Sequence, residues 1–181
     1  MLAATRAWVL ASALCLCLAG CAHYRMGTSG RLAFSTLYIE PVSNRVVALA
    51  QAQSPVGAQL RQAFAEDGRV EIVSSPQTAD ATLTIVLTDY HRDVAAVHEA
   101  DTGLASKFVV TLGAACTLRD NRSGRTFFDS RVVDVQRGVY TDNGMPASPV
   151  TGNQLQSEYN TMPLLAADLS AKVAHLVLDV W

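Results

Sequence analysis

The sequence predicts an α+β fold, with two helices packed on one face of a mostly antiparallel sheet of about four strands. Three observations carry this. Apolar residues recur at helical spacing over 55–67 and again near the C-terminus. Between those segments lie runs that alternate apolar and polar, which is strand periodicity. Helices set apart by a block of strands favour a sheet with its helices on one side.

Leu37 to Val42 is rich in strand formers, and Pro41 puts its end at a strand edge or terminus, because proline cannot donate to a ladder. Ser54-Pro55 reads as an N-cap followed by proline at the first helical position. Val56, Leu60, Ala63 and Phe64 then share a helical face, and Gly68 supplies a C-terminal stop. The first helix is therefore expected over 55–67. Val70 to Val73 is a short strand, closed by Ser74-Ser75-Pro76.

From Ala81 to His91, Ala81, Leu83, Ile85 and Leu87 point to one face. Thr82, Thr84, Thr88 and Tyr90, with Val86, point to the other. Residues 92–106 read as a mixed loop. Phe108 to Arg119 places Phe108, Val110, Leu112, Ala114, Cys116 and Leu118 on one face. The turn at 120–124 returns the chain into a strand over Thr126 to Val135, making a hairpin. Gly138, Gly144, Pro146, Pro149 and Gly152 mark 137–153 as loop. Tyr159, Met162, Ala166, Leu169, Val173, Leu176 and Val180 carry the final helix. Proline is tolerated in a first turn, where amides have no helical partner. Pro163 therefore sets the expected start at about Asn160 or Thr161.

Three regions follow. Residues 1–20 form a lipoprotein signal peptide, 21–35 a lipidated flexible tether, and 36–181 a single α+β domain. Arg6 precedes a run from Ala7 to Ala19 that is apolar except for Ser12, the pattern of an export signal. The run ends in Leu18-Ala19-Gly20-Cys21, a lipobox, so cleavage is expected before Cys21 and lipid on its thiol. Ala22, where an aspartate would favour retention at the inner membrane, points to the outer membrane. Cys15 and Cys17 leave with the leader, so only Cys116 remains as a thiol, set in an apolar strand as a small buried hydrophobe. No second hydrophobic stretch reads as long enough to span a membrane.

Little catalytic chemistry is written here. The 14 basic residues become 13 once Arg6 is gone, against 16 acidic ones, so the mature net charge is −3 and no nucleic-acid partner is expected. His23, His91, His98 and His175 have no metal-ligand spacing, and no nucleophile elbow occurs. No enzyme activity, metal or cofactor is expected beyond the covalent lipid on Cys21. Arg119, Arg122 and Arg125 gather on one hairpin turn, with Arg92 and Lys107 at the opposite end of the sheet. Guanidinium forks match phosphate oxygens, so the turn is the candidate anion-binding site.

The chain resembles the LptE family of lipopolysaccharide-assembly outer-membrane lipoproteins. The resemblance runs from Cys21-Ala22-His23-Tyr24-Arg25-Met26-Gly27 through Ile39-Glu40-Pro41 and the helix Gly57 to Phe64. It continues in Ala79-Asp80-Ala81-Thr82-Leu83, Tyr90-His91-Arg92, Ala105 to Val110, Arg137-Gly138-Val139-Tyr140 and the helix near Glu158. Order and spacing carry it, not any one motif. The exchanged His23 and Tyr24 and the proline-rich 144–150 stretch depart from the family pattern.

The resemblance implies a non-catalytic plug inside an LptD-like β-barrel, anchored at the outer membrane and facing periplasm and barrel lumen. It also implies lipopolysaccharide as ligand; no local motif aligns the family's contact residues, so Arg119, Arg122 and Arg125 are assigned to it from the charge cluster of this sequence alone. The alternative is another periplasm-facing lipoprotein that acts as an adaptor in envelope assembly. Cys21→Ser should move the protein from the membrane fraction to the soluble fraction of lysed cells. An unchanged distribution, in cells lacking any barrel partner, would rule out the lipid anchor.

Overall fold

The computed structural model describes residues 32–46, 52–97, 105–140 and 151–180. The expected leader, Cys21 and the tether before Leu32 lie outside them, as do His98, Glu99, Asp101 and Gly103. The elements, in order, are β1 (Thr36–Ile39), β2 (Ser43–Asn44), α1 (Gln53–Asp67), β3 (Glu71–Val73), β4 (Ala81–Val97), β5 (Ala105–Asp120), β6 (Thr126–Tyr140) and α2 (Thr151–Leu178).

The α+β class is as expected, but the sheet is larger and mixed. Its order is β3-β1-β4-β5-β6, with β2 also beside β4. The long strands β4, β5 and β6 pair antiparallel. β1 runs parallel to both β3 and β4, and β2 parallel to β4. The parallel edge follows from α1, because a helical crossover brings the chain back to the starting end of the sheet.

One face of the sheet carries the core. Leu37, Ile39, Leu83, Ile85, Leu87, Leu112 and Leu118 are buried there. Against them lie Val56, Leu60 and Phe64 from α1, and Leu165, Leu169, Val173 and Val177 from α2. The helices touch each other, and Ser170 Oγ donates to Val56 O at 3.4 Å within the buried seam. By length and composition, residues Gln156–Leu178 of α2 could also cross a membrane. That departs from the sequence reading, although the most apolar face of this helix is spent on the sheet.

Both helices start earlier than expected. α1 starts two residues before Pro55, with Ala52 as N-cap and no side-chain cap, so Ser54 lies within the first turn. Pro55 is still tolerated, because first-turn amides lack helical partners. The C-terminal stop is as expected: Gly68 has φ 72° and its N–H donates to Phe64 O at 3.1 Å. α2 begins at Thr151, so Pro163 lies deep inside it. Proline there deprives the Tyr159 carbonyl of its donor. One turn earlier, Thr161 Oγ1 donates to Ser157 O at 2.7 Å.

The long strands extend beyond their expected limits. β4 runs to Val97 and β5 starts at Ala105, so 92–97 and 105–106 are strand, not loop. Residues 91–97 are exposed on both faces and show no burial alternation. β6 runs through Gly138 to Tyr140. A Cβ at Gly138 would stand 2.9 Å from Lys107 Cε, so this glycine marks a close approach within a strand.

A bulge at Thr88 shifts the β4–β5 register between Leu87 and Asp89. An extra residue exchanges the two faces beyond it. Tyr90 therefore pairs with core-facing Leu112 and turns to the helix side, against the sequence reading. A second irregularity lies in β6, where Ser130 has φ 49° and its N–H donates to Thr117 Oγ1 at 3.0 Å. Further along the same strand, Lys172 Nζ of α2 donates to Asp134 O at 2.7 Å.

Nothing lies within 4 Å of a Cβ built on Gly68. Gly68→Ala should therefore lower stability by about 1 kcal/mol through backbone strain alone. Urea denaturation measures this, and an unchanged midpoint would show that the left-handed cap is not needed.

Candidate functional site

The start of β1, the start of β4 and the β5–β6 turn meet at one tip of the sheet, around Asp80. This side chain is 11% exposed. Its carboxylate accepts from Ser35 N at 2.9 Å, Ser35 Oγ at 2.8 Å and Thr36 N at 3.1 Å. Its own N–H donates to Thr36 Oγ1 at 2.8 Å. The Arg122 guanidinium forms an ion pair with the same carboxylate.

Asn121 closes the other side of the tip. Its N–H donates to Asp80 O at 2.8 Å, and its side-chain amide donates to Pro76 O and Ala79 O, each at 3.0 Å. Thr82 Oγ1 donates to Asn121 Oδ1 at 3.0 Å. Asp120 shapes the turn, accepting from the amides of Arg122 at 2.8 Å and Ser123 at 3.4 Å. Gly124, at φ 72°, completes it.

The structure brings Arg119, Arg122 and Arg125 to this tip, but in different states. Arg122 is held by Asp80. Arg125 lies over the Phe127 ring at 5.3 Å, and that ring packs on Phe34 at 5.7 Å between centroids. Arg119 is exposed, its Nη2 directed toward Gly124. Asp80 and Asp120 offset two of the three positive charges. The tip therefore keeps a net charge of about +1, with Arg119 and Arg125 as its available forks.

Hydrogen bonds from Ser35, helped by those from Thr36 and the charge of Arg122, hold the Asp80 carboxyl down at about 2. Asp80 therefore stays ionised across the physiological range. Ser123 and the backbone of Arg122 likewise hold Asp120 below the usual carboxylate range.

The opposite end of the sheet holds the other two cations, as expected. Arg92 Nη1 lies 3.0 Å from Glu158, and Lys107 lies 5.0 Å over the Tyr140 ring. Glu158 also accepts from the Tyr90 hydroxyl. Burial, reinforced by that hydrogen bond, raises the Tyr90 pKa. Arg137 forms a two-pronged pair with Asp168 at 2.5 and 2.8 Å. The sequence reading missed these ties to α2. It also missed Asp80 as a hub, although its Ala-Asp-Ala context stood out as a strand entry.

Other candidate groups do not assemble. His91 sits between Asp89 at 2.9 Å and Asp93 at 3.4 Å. Among the described residues, no group of three or more His, Cys, Asp or Glu side chains suits a metal ion. Cys116 is buried, and burial pushes its thiol up to about 12, so the reactive thiolate is suppressed.

Two helices over a six-stranded mixed sheet recur as a fold in solved bacterial lipoproteins. The chain is similar to a minor lipoprotein of Acinetobacter baumannii, with TM-score 0.52 and 12% identity over 81% of this chain and 92% of that one. It is similar to the rare lipoprotein B of Shewanella oneidensis, with TM-score 0.52 and 9% identity over 78% and 92%. An uncharacterized lipoprotein B of Nitrosomonas europaea gives TM-score 0.51 and 14% identity over 86% and 87%. At these identities the likeness carries the fold alone. No curated protein matches in sequence. The chain belongs to the LptE, lipopolysaccharide-assembly, family, whose model matches residues 34–176.

Asp80 has a depressed pKa in the folded state, so its contribution to stability is complete above about pH 4 and is lost as pH falls toward 2. The share at stake is about 2 kcal/mol. Asp80→Asn should remove this share at neutral pH and flatten the fall in stability between pH 4 and pH 2. Urea unfolding across that range tests it, and parallel pH curves for the two proteins would refute it.

Proposed function

We propose that the protein is exported through residues 1–20, cleaved and lipidated at Cys21, and held at the outer membrane with its domain facing periplasm and barrel lumen. There it plugs an LptD-like β-barrel, assists its assembly, and binds lipopolysaccharide without catalysing a reaction. The observation that carries this reading is the family match over 34–176, which spans nearly all of the folded domain. The lipobox at Leu18-Ala19-Gly20-Cys21 supports the anchor. The uncovered sheet face supports the plug role. Thr82, Thr84, Thr117 and Gln136 make it polar, with Glu40 and Asp129 hydrogen-bonded to Thr84 and Thr117, suited to a wet barrel interior.

In this reading the lipopolysaccharide contact lies at the tip. Arg119 and Arg125 are the groups proposed to grip phosphate, and Arg122 mainly braces Asp80. The three arginines of the turn therefore divide the work unequally.

Affinity purification of the tagged protein from outer membranes tests the reading. A large β-barrel should co-purify. If none does, the plug role fails and the envelope-adaptor alternative takes its place. Arg119→Ala with Arg125→Ala should weaken lipopolysaccharide capture about tenfold without unfolding the domain, the scale set by removing charge-assisted hydrogen bonds. Undiminished capture would move the ligand away from the tip.

A further inference from the structure

We propose that the crevice at the carboxyl ends of β1 and β3 is a second binding site, for a small amphipathic anion with one phosphate-type head on a short apolar body. This site does not depend on the reading above and lies away from the arginine tip. Leu37 pairs with Ala81, and Ala81 with Asp120, which places the tip at the start of β1. The crevice opens beyond the other end of that strand.

The topology makes the space. β1 and β3 run side by side and parallel, with Tyr38 paired to Val73. Past that pair the two chains separate, one through Pro41 and the other through Ser74. The crossover helix α1 roofs the gap. The departing loops diverge there, as they do at the carboxyl ends of parallel strands in open α/β sheets, where ligands settle.

The lining has the character of a small-molecule site. Ile39, Pro41, Ile72 and Val73 form apolar walls, with Tyr38 and Ser74 as polar positions. Among the described residues, Arg61 of α1, exposed along its helix, is the only charged one in the lining. An unopposed cation beside apolar walls is complementary to an anion with an apolar body. Arg61 Nη1 donates to Gly57 O at 3.0 Å, which steadies the guanidinium along the helix. Among the described residues, its Nε and Nη2 make no hydrogen bond. They remain available as a fork for a phosphate oxygen. The volume is about 320 Å³. That is at the small end of the range for small-molecule pockets, about 300–1,000 Å³, and suits a compact ligand such as hexyl phosphate.

Hexyl phosphate is the probe, titrated into the ¹⁵N-labelled full chain and followed by amide chemical shifts. The expected result is saturable movement of the amides of Tyr38, Ile39, Val73 and Ser74. Arg61→Gln should raise the Kd about tenfold, as removal of a charge-assisted hydrogen bond predicts. Gln has nearly the helix propensity of Arg, so α1 should persist and the spectrum should otherwise hold. Arg61→Lys should retain part of the affinity. Two further arms separate head from body: inorganic phosphate and hexanol should each bind at least tenfold more weakly. Equal affinity of hexanol and hexyl phosphate, equal affinity of wild type and Arg61→Gln, or movement confined to the arginine tip would each overturn the site.

Discussion

The carboxylate of Asp80 binds three distant stretches of chain at a single point. It receives the first amides of β1, precedes β4 directly, and holds Arg122 of the β5–β6 turn. A largely buried carboxylate is costly unless its oxygens are satisfied, and here several donors meet them. The geometry of that tip sets the register of β1 against β4, with Leu37 opposite Ala81. Register matters because a one-residue slip would turn Leu37 and Ile39 out of the core. The apolar faces of α1 and α2 have a surface to pack on only if this alignment holds.

Beyond the Thr88 bulge the character of the molecule changes. On one side, apolar packing dominates. On the other, β4 continues as an exposed strand over 91–97, held mainly by its ladder to β5, whose Val110 and Leu112 stay in the core. Side-chain ties join this region to α2: Tyr90 and Arg92 to Glu158, and Arg137 to Asp168. These partly screened pairs are individually modest. Together they fix the direction of the helix on either side of Pro163. That explains how the helix persists through a proline the sequence alone places at its start.

What was legible follows from where burial writes a pattern. Ala81 to Leu87 and Val110 to Leu118 alternate because one face is core, and α1 was readable from Val56, Leu60 and Phe64. The outer part of β4 was not readable, because neither face of 91–97 is buried and period-two signals need a contrast, whereas β6 keeps its alternation through Val135 and Val139. Gly138 read as a loop because its role, a close approach by Lys107, belongs to a neighbouring strand. Parallel pairing of β1 was hidden in the same way, since four residues record burial but not direction. The arginine tip was readable as a cluster because a tight turn gathers its own flanks. The pairing of Arg122 with Asp80 was not, because it joins residues far apart in sequence.

The edge strand β6 carries two interruptions, the backward-turned Ser130 and the Asp134 carbonyl already claimed by Lys172. Unpaired edges invite another chain to zip on. Here a visiting strand would meet a kink and an occupied acceptor instead of a continuous row of hydrogen-bonding groups. Association along this edge is thereby biased toward side-chain contacts. A sheet brought against this edge would be met as a neighbour and not joined as an extra strand.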